Sequence, residues 1–425
     1  MNAAMVGVFG GLLALGFPVY LVLGITAVGL LWMSGTPMIS VTQKIVDELN
    51  SQTLIAVPFF MIAATFMERG GIARALIDAA SSWVAGVRGG LGVVCVIACT
   101  IFAAMCGSSV ATAMAMGTIL VPSMIAQRYD RSFASGVVGA SGTLGILIPP
   151  SLAMVVYGVL ADESVPRLFL AGVIPGLLQA VVMSAWIVYY AHRRGYPPAR
   201  AQVGGPSALE LNLRALPAFA IPVIVLGGIY GGIATVTEAA ALSAVAAIAI
   251  SLLVYRSIGL SDLLPILAAS ARHAAAIMII IVVALVFGHW VTESGVTRSV
   301  VALSQEWNLQ PWQFLVFVNI LLFALGMFLE VFSVLLIALP VLVPLLEPFG
   351  IDPIHFGIII VINMELALLT PPVGMNLFVL SSITRAPLSE VIRGITPFAI
   401  LLGLLLVAIM VFPELSLWLP RQVLG

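Results

Sequence analysis

GASGTLGILIPPS (Gly139–Ser151) sits within an apolar run, 132–160, long enough to cross a membrane, yet it combines three glycines with a double proline. A proline inside a helix removes a hydrogen bond and clashes with the preceding turn, at about 3 kcal/mol, so two in succession stop the helix. In lipid every backbone polar group must find an internal partner, and irregular backbone is tolerated only where protein or a wet cavity covers it. The stretch therefore predicts a transmembrane helix broken near Gly145–Ser151, with its break facing protein.

The rest of the chain supports a membrane setting. Of 425 residues 62% are hydrophobic and 8% charged, and apolar runs repeatedly exceed the ~20 residues that a spanning helix needs. The runs are continuous, without the ten-residue alternation of an outer-membrane barrel. The fold class is an all-α polytopic membrane protein. Nine crossings are expected at 4–32, 53–67, 132–160, 166–191, 215–231, 234–255, 274–291, 353–384 and 394–412. The first has no basic leader or cleavage signature and reads as a retained helix. The whole chain, 1–425, reads as one integral membrane unit.

Two runs are twice the length of one span: 89–127, centred on CGSSVAT (Cys106–Thr112), and 307–346, interrupted by GMFLE (Gly326–Glu330). A loop at a membrane surface usually carries charge, proline or longer polar turns, which CGSSV lacks. Small residues and hydroxyls suit a tip buried in protein, so both runs read as re-entrant helical hairpins. With the N-terminus inside, arginines 69, 74, 88, 128, 131, 193, 194, 200, 214, 256, 272, 385 and 393 fall on the cytoplasmic side. Only Lys44, Arg167, Arg298 and Arg421 fall outside, in agreement with the positive-inside rule. The hairpins then enter from opposite surfaces.

An offset of 222 residues aligns Ser108 with Glu330, Pro122 with Pro344, and Pro149-Pro150 with Pro371-Pro372. ERGGIAR (Glu68–Arg74) resembles ESGVTR (Glu293–Arg298) after a small shift. The chain reads as a duplication with transport elements at 68–160 (hairpin 89–127, broken helix 132–160) and 293–384 (hairpin 307–346, broken helix 353–384), the remaining helices forming a scaffold. Five crossings lie between the hairpins, so the second copy is inverted, a pattern that points to a secondary transporter with a midplane site.

Helix breaks free carbonyls at one half-helix end and N–H groups at the next. Carbonyls of Gly145, Ile148 and Pro150, with the Ser108 and Ser109 hydroxyls, suit a small hard cation; so do carbonyls of Ala367, Thr370 and Pro372, opposite Gly326 and Glu330. A substrate cavity is expected from Thr112, Ser141, Thr143, Glu330, Ser333, Asn363, Glu365 and Asn376. Gly139 and Gly142 read as packing residues. Cys95, Cys99 and Cys106 also read as packing; the four scattered histidines form no metal motif, and no phosphate-binding glycine loop is present. The sequence calls for no cofactor and no nucleic-acid partner. G-A-S-G at Gly139–Gly142 also has the form of an intramembrane serine protease motif, with Ser141 as nucleophile and His289 or His355 as base.

CGSSVATAMAMG, GASGTLGILIPPS, GMFLEVFSVLLIALPVLVPLL and NMELALLTPPVGMNLFV resemble, in order, the signature regions of the large membrane subunit of tripartite ATP-independent periplasmic (TRAP) transporters. The resemblance covers essentially the whole chain. It implies sodium-driven uptake of small organic acids across the bacterial inner membrane by an elevator motion, with Na+ as coupling ion. It also implies two partners, a small four-helix membrane subunit, expected as a separate polypeptide, and a periplasmic substrate-binding protein. Carried onto this chain, the sodium ligands are Ser108, Ser109, Gly145, Ile148 and Pro150 in one repeat, and Gly326, Thr370 and neighbouring carbonyls in the other. Cys106 stands where a serine is common in the family, so no sodium role is carried to it. A stand-alone sodium-coupled carboxylate symporter or antiporter is the alternative of nearest kind.

Overall fold

The computed structural model describes residues 3–50, 52–198 and 206–425, which form helices and short connections. Eight of the described helices are long and apolar enough to cross a membrane, and the bent pair Gln52–Arg69 and Ile72–Trp83 makes nine. The pair turns by 65° at Gly71, whose φ of +78° is open to glycine and strained for other residues. Beyond the turn, Ile72, Ala73, Leu76, Ile77, Ala79 and Ala80 are buried while Arg74 and Asp78 lie outside that face, the pattern of a helix lying along a surface.

The N-terminal run departs from expectation. In place of one helix over 4–32 there are two, Ala3–Ala14 and Val19–Met33. Gly16 takes φ +79° and Pro18 caps the second helix. A continuous apolar pattern concealed this break, because hydropathy is blind to the missing proline N–H.

Hydrogen bonds between distant loops test the expected sidedness. Ser132 Oγ donates to Glu390 O (3.0 Å), Trp83 Nε1 to Asn212 Oδ1 (2.7 Å) and Tyr255 OH to Arg214 O (2.8 Å). These join ends that the arginines assign to the cytoplasm. At the other end Tyr157 OH donates to Pro353 O (2.5 Å), Tyr230 OH to Pro166 O (2.9 Å), Thr237 Oγ1 to Gln52 O (2.6 Å) and Arg167 to Gly425 O (3.0 Å). Each bond links segment ends placed on one side.

Both double-length runs fold as helix-turn-helix units. The first is Gly90–Cys106 and Ser109–Ala126; the second is Pro311–Gly326 and Val331–Leu346. Each is followed by an interrupted helix, Arg131–Leu147 with Leu152–Ala161, and Pro353–Leu368 with Met375–Thr384. The packing is crosswise: Ser109–Ala126 lies on Met375–Thr384, while Val331–Leu346 lies on Leu152–Ala161.

Arg131–Leu147 is the most enclosed part, with every residue from Phe133 to Leu147 buried. Its small residues permit this. A Cβ on Gly136 would sit 2.1 Å from Gly394 O, and one on Gly139 would sit 2.5 Å from Leu380 Cδ1. One on Gly142 would sit 3.1 Å from Ala113 Cβ. Gly139 and Gly142 are therefore packing residues, as expected. Cys95 and Cys99 are likewise buried, with sulfurs 3.9 Å apart; the Cys106 side chain lies outside those described.

Candidate functional site

The first break follows from covalent structure. Pro149 and Pro150 have no N–H to return to the carbonyls of Gly145 and Ile146, so the helix ends at Leu147 and Ile148 turns to extended backbone. Ser151 restarts it: its Oγ donates to Ile146 O (2.6 Å) and accepts from Met154 N (3.4 Å). Ser151 thus covers one of the two carbonyls freed by proline, that of Ile146. Gly107, at the tip of the first hairpin with φ +61°, abuts this restart so closely that a Cβ would lie 2.8 Å from Leu152 N.

The second break has the same plan with different details. Pro353–Leu368 ends at Leu369, and Met375–Thr384 begins after Gly374, at φ +48°. Gly374 N donates to Met327 O in the second hairpin tip (3.1 Å), and a Cβ on Gly326 would lie 2.7 Å from Ala367 Cβ. Ala367 O already accepts from Thr370 N (3.1 Å), and Thr370 Oγ1 donates to Leu366 O (2.7 Å). Both Pro-Pro bonds, 149-150 and 371-372, are cis. Each hairpin tip therefore seats against the break that follows it in sequence.

Several expected site residues meet between the two helix-turn-helix and broken-helix units. Asn376 Nδ2 donates to Ser109 Oγ (2.7 Å), joining the second break to the first hairpin. Thr143 Oγ1 lies 3.2 Å from Glu365 Oε2, and these two are separated by the repeat offset of 222. Thr143 has one proton to share between Glu365 and its own Ala140 O at 2.8 Å. The firmer donor to Glu365 is Gln179 Nε2, at 2.6 Å. Gln179 sits on Val165–Arg194 and was not anticipated, since a single glutamine in an apolar span carries no motif. Glu365 Oε1, Gln179 Oε1 and Ser141 Oγ are buried without a hydrogen-bond partner.

The other expected residues are placed apart from this cluster. Asn363, two positions from Glu365 and so on another helix face, donates to Asn319 O (2.9 Å) and Oδ1 (2.7 Å) in the second hairpin. Ser108 caps Ser109–Ala126 by accepting from Ala111 N (3.4 Å), and Thr112 Oγ1 donates to Ser108 O (2.8 Å). Glu330 is half-buried at the cap of Val331–Leu346, and Ser333 is half-buried one turn later.

No nucleophile-base pair assembles at Ser141. His355 Nδ1 is 2.7 Å from Ser416 Oγ, and His289 Nε2 faces Glu293 at 3.3 Å. The G-A-S-G motif is a packing feature of a buried helix.

The architecture recurs in solved transporter structures at 12% sequence identity, a likeness of fold alone. The Alcanivorax borkumensis YdaH transporter superposes with a TM-score of 0.65 over 90% of this chain and 88% of that one. Neisseria gonorrhoeae MtrF gives 0.64 over 89% and 85%. The protein thus has, by its fold, the architecture of a multi-pass helical membrane protein.

Sequence comparison narrows the class. Residues 6–415 match the profile of the tripartite ATP-independent periplasmic transporter DctM component. The chain is 42% identical to the C4-dicarboxylate TRAP transporter large permease protein of Pseudomonas aeruginosa, over 93% of this chain and 92% of that protein. It is 35% identical to the sialic acid TRAP large permease of Vibrio cholerae, over 99% of both, and 33% identical to the ectoine TRAP large permease of Halomonas elongata, again over 99% of both. This chain belongs to the DctM family of TRAP transporter large permeases and is a transport subunit, not an enzyme.

Proposed function

We propose that the chain carries small carboxylates inward across the bacterial inner membrane, coupled to Na+, as the large permease of a three-part system. The observation that carries this reading is the pair of helix breaks, each seated against a hairpin tip. Half-helix ends meeting at such a point offer carbonyls to a cation and N–H groups to an anion without a fixed charge. Relatives named for C4-dicarboxylate, sialic acid and ectoine share a carboxylate and little else. Backbone groups and hydroxyls suit such a range, with the finer selection left to a periplasmic binding protein.

In this reading Gly145, Ile148 and Pro150 hold one Na+ with Ser108 and Ser109, and Gly326, Ala367, Thr370 and Pro372 surround a second. Ser109 also holds Asn376, so sodium at the first hairpin is felt at the second break. The units 68–160 and 293–384 act as inverted repeats that move together against the remaining helices. Two Na+ with a monoanion carry one net charge inward, worth about 2.3 kcal/mol per 100 mV beyond the sodium gradient.

The test is uptake of radiolabelled carboxylates into proteoliposomes, with and without a Na+ gradient, the small four-helix subunit and the binding protein. Uptake is expected only with all components. Full activity from this chain alone would instead identify a stand-alone carboxylate symporter, and uptake indifferent to Na+ would remove the coupling ion.

A further inference from the structure

At their cytoplasmic ends Val165–Arg194 and Leu388–Val411 pack together on the flank of the broken-helix core. A groove of about 440 Å³ runs between them, lined by Trp186, Arg393, Thr396, Pro397, Ile400 and Leu401. It shares Trp186, Arg393 and Pro397 with a second cavity of about 290 Å³, where Arg194, Tyr190 and Ser132 join the lining. The first is apolar apart from its arginine end; the second is mixed, with two arginines and one carboxylate among aromatic side chains.

The charge is available. Arg194 and Arg393 form no ion pair among the described residues, and Arg194 lies over the Tyr190 ring at 5.4 Å with Nε donating to Tyr190 OH (3.2 Å). That arrangement holds the guanidinium through Nε and the ring face, with no ion pair to its terminal nitrogens among the described residues. The single acid in the cavity lining, Asp130, accepts from Tyr196 OH at 2.7 Å and keeps its charge, so two arginines against one carboxylate leave the lining net positive. The Trp186 ring lines both cavities. Ile400 is 59% exposed, so the apolar side opens where the acyl region of the inner leaflet lies.

We propose that this pair of cavities is a binding site for an anionic phospholipid of the cytoplasmic leaflet. Its phosphate lies between Arg194 and Arg393, the Trp186 ring flanks the glycerol, and one acyl chain follows Pro397, Ile400 and Leu401. A basic pocket between helices on the cytoplasmic side, continuous with an apolar groove, has the chemistry of such a headgroup and chain. The lipid would bridge two helices that lie outside both proposed sodium sites, and so sets how readily the flank slides in its leaflet.

Phosphatidylglycerol and phosphatidylcholine are to be titrated onto the purified full chain, with bound lipid counted by native mass spectrometry. Wild type is expected to prefer phosphatidylglycerol. R194Q and R393Q should each weaken it about fivefold, and together about 25-fold, at about 1 kcal/mol per arginine. I400W, which keeps both arginines and fills the groove, should weaken phosphatidylcholine and phosphatidylglycerol alike. Inorganic phosphate should not displace the lipid, because it lacks the chain. No preference in wild type, or an unchanged preference in the folded R194Q/R393Q protein, overturns the proposal. So does a groove that admits lipid only when the small subunit is absent, which would identify a protein interface.

Discussion

Gln179→Leu removes the only firm donor, among the described residues, to a buried carboxyl. The side chains are of similar bulk, so the change acts on hydrogen bonding more than on volume. Gln179 Nε2 is 2.6 Å from Glu365 Oε2, whereas Thr143 offers a longer 3.2 Å contact whose proton has a nearer acceptor in Ala140 O. Glu365 is fully buried, so water does not replace the lost donor. A buried polar atom left unpaired costs about 1–3 kcal/mol, and more where charge is involved. Thr143→Val takes away only the shared contact and should cost about 0.5–1 kcal/mol. Gln179→Leu combined with Glu365→Leu removes both partners and should recover most of the loss. Unfolding in mixed micelles, titrated with a denaturing detergent, measures all three. Destabilisation by Thr143→Val equal to that by Gln179→Leu, or a double variant as unstable as the sum of the singles, would refute the assignment of Gln179 as principal partner.

Gly394→Ala should be among the most damaging single methyl additions, since its Cβ would fall 1.8 Å from Ser132 O; a loss of about 1–3 kcal/mol or failure to accumulate is expected, read by thermal unfolding. Asp352 Oδ1 caps Pro353–Leu368 by accepting from Ile354 N (2.8 Å) and His355 N (3.3 Å), so Asp352→Ala should cost about 1 kcal/mol while Asp352→Asn retains the cap. Glu163, in the outer connection before Val165–Arg194, is held above its ordinary carboxylate value of 4.5 by burial first and by the charge of Asp352 second. A raised folded-state value means stability present below 4.5 that is lost as pH rises through the folded-state value. Glu163→Gln should therefore flatten the pH dependence of melting between 4.5 and the folded-state value and raise the melting temperature at neutral pH; a steeper profile would contradict it.

The two breaks were legible because proline and glycine act locally: the covalent absence of an N–H needs no tertiary context. The same logic applied to Gly16 and Pro18, yet there the apolar run outweighed it and one helix was read for two. Which segment ends lie together was legible because arginines cluster at loops, and the distant loop bonds join ends that the charge pattern groups. The Thr143 and Glu365 contact was implicit in the offset of 222 but invisible as a contact. Gln179 was illegible altogether. Its partner lies 186 residues away, and nothing in a lone amide tells which helix it will face.

Crosswise packing also sets a schedule for synthesis. Gly136 is covered by Gly394, and Ser132 bonds to Glu390 across 258 residues of chain. At about 5–20 residues per second, the ribosome needs roughly 13–50 s to make that intervening length. Throughout that interval the glycine-rich helix and its open carbonyls are in the membrane without their cover. The nascent protein must shelter the broken helix with lipid headgroups, water or insertion machinery until its own last third arrives.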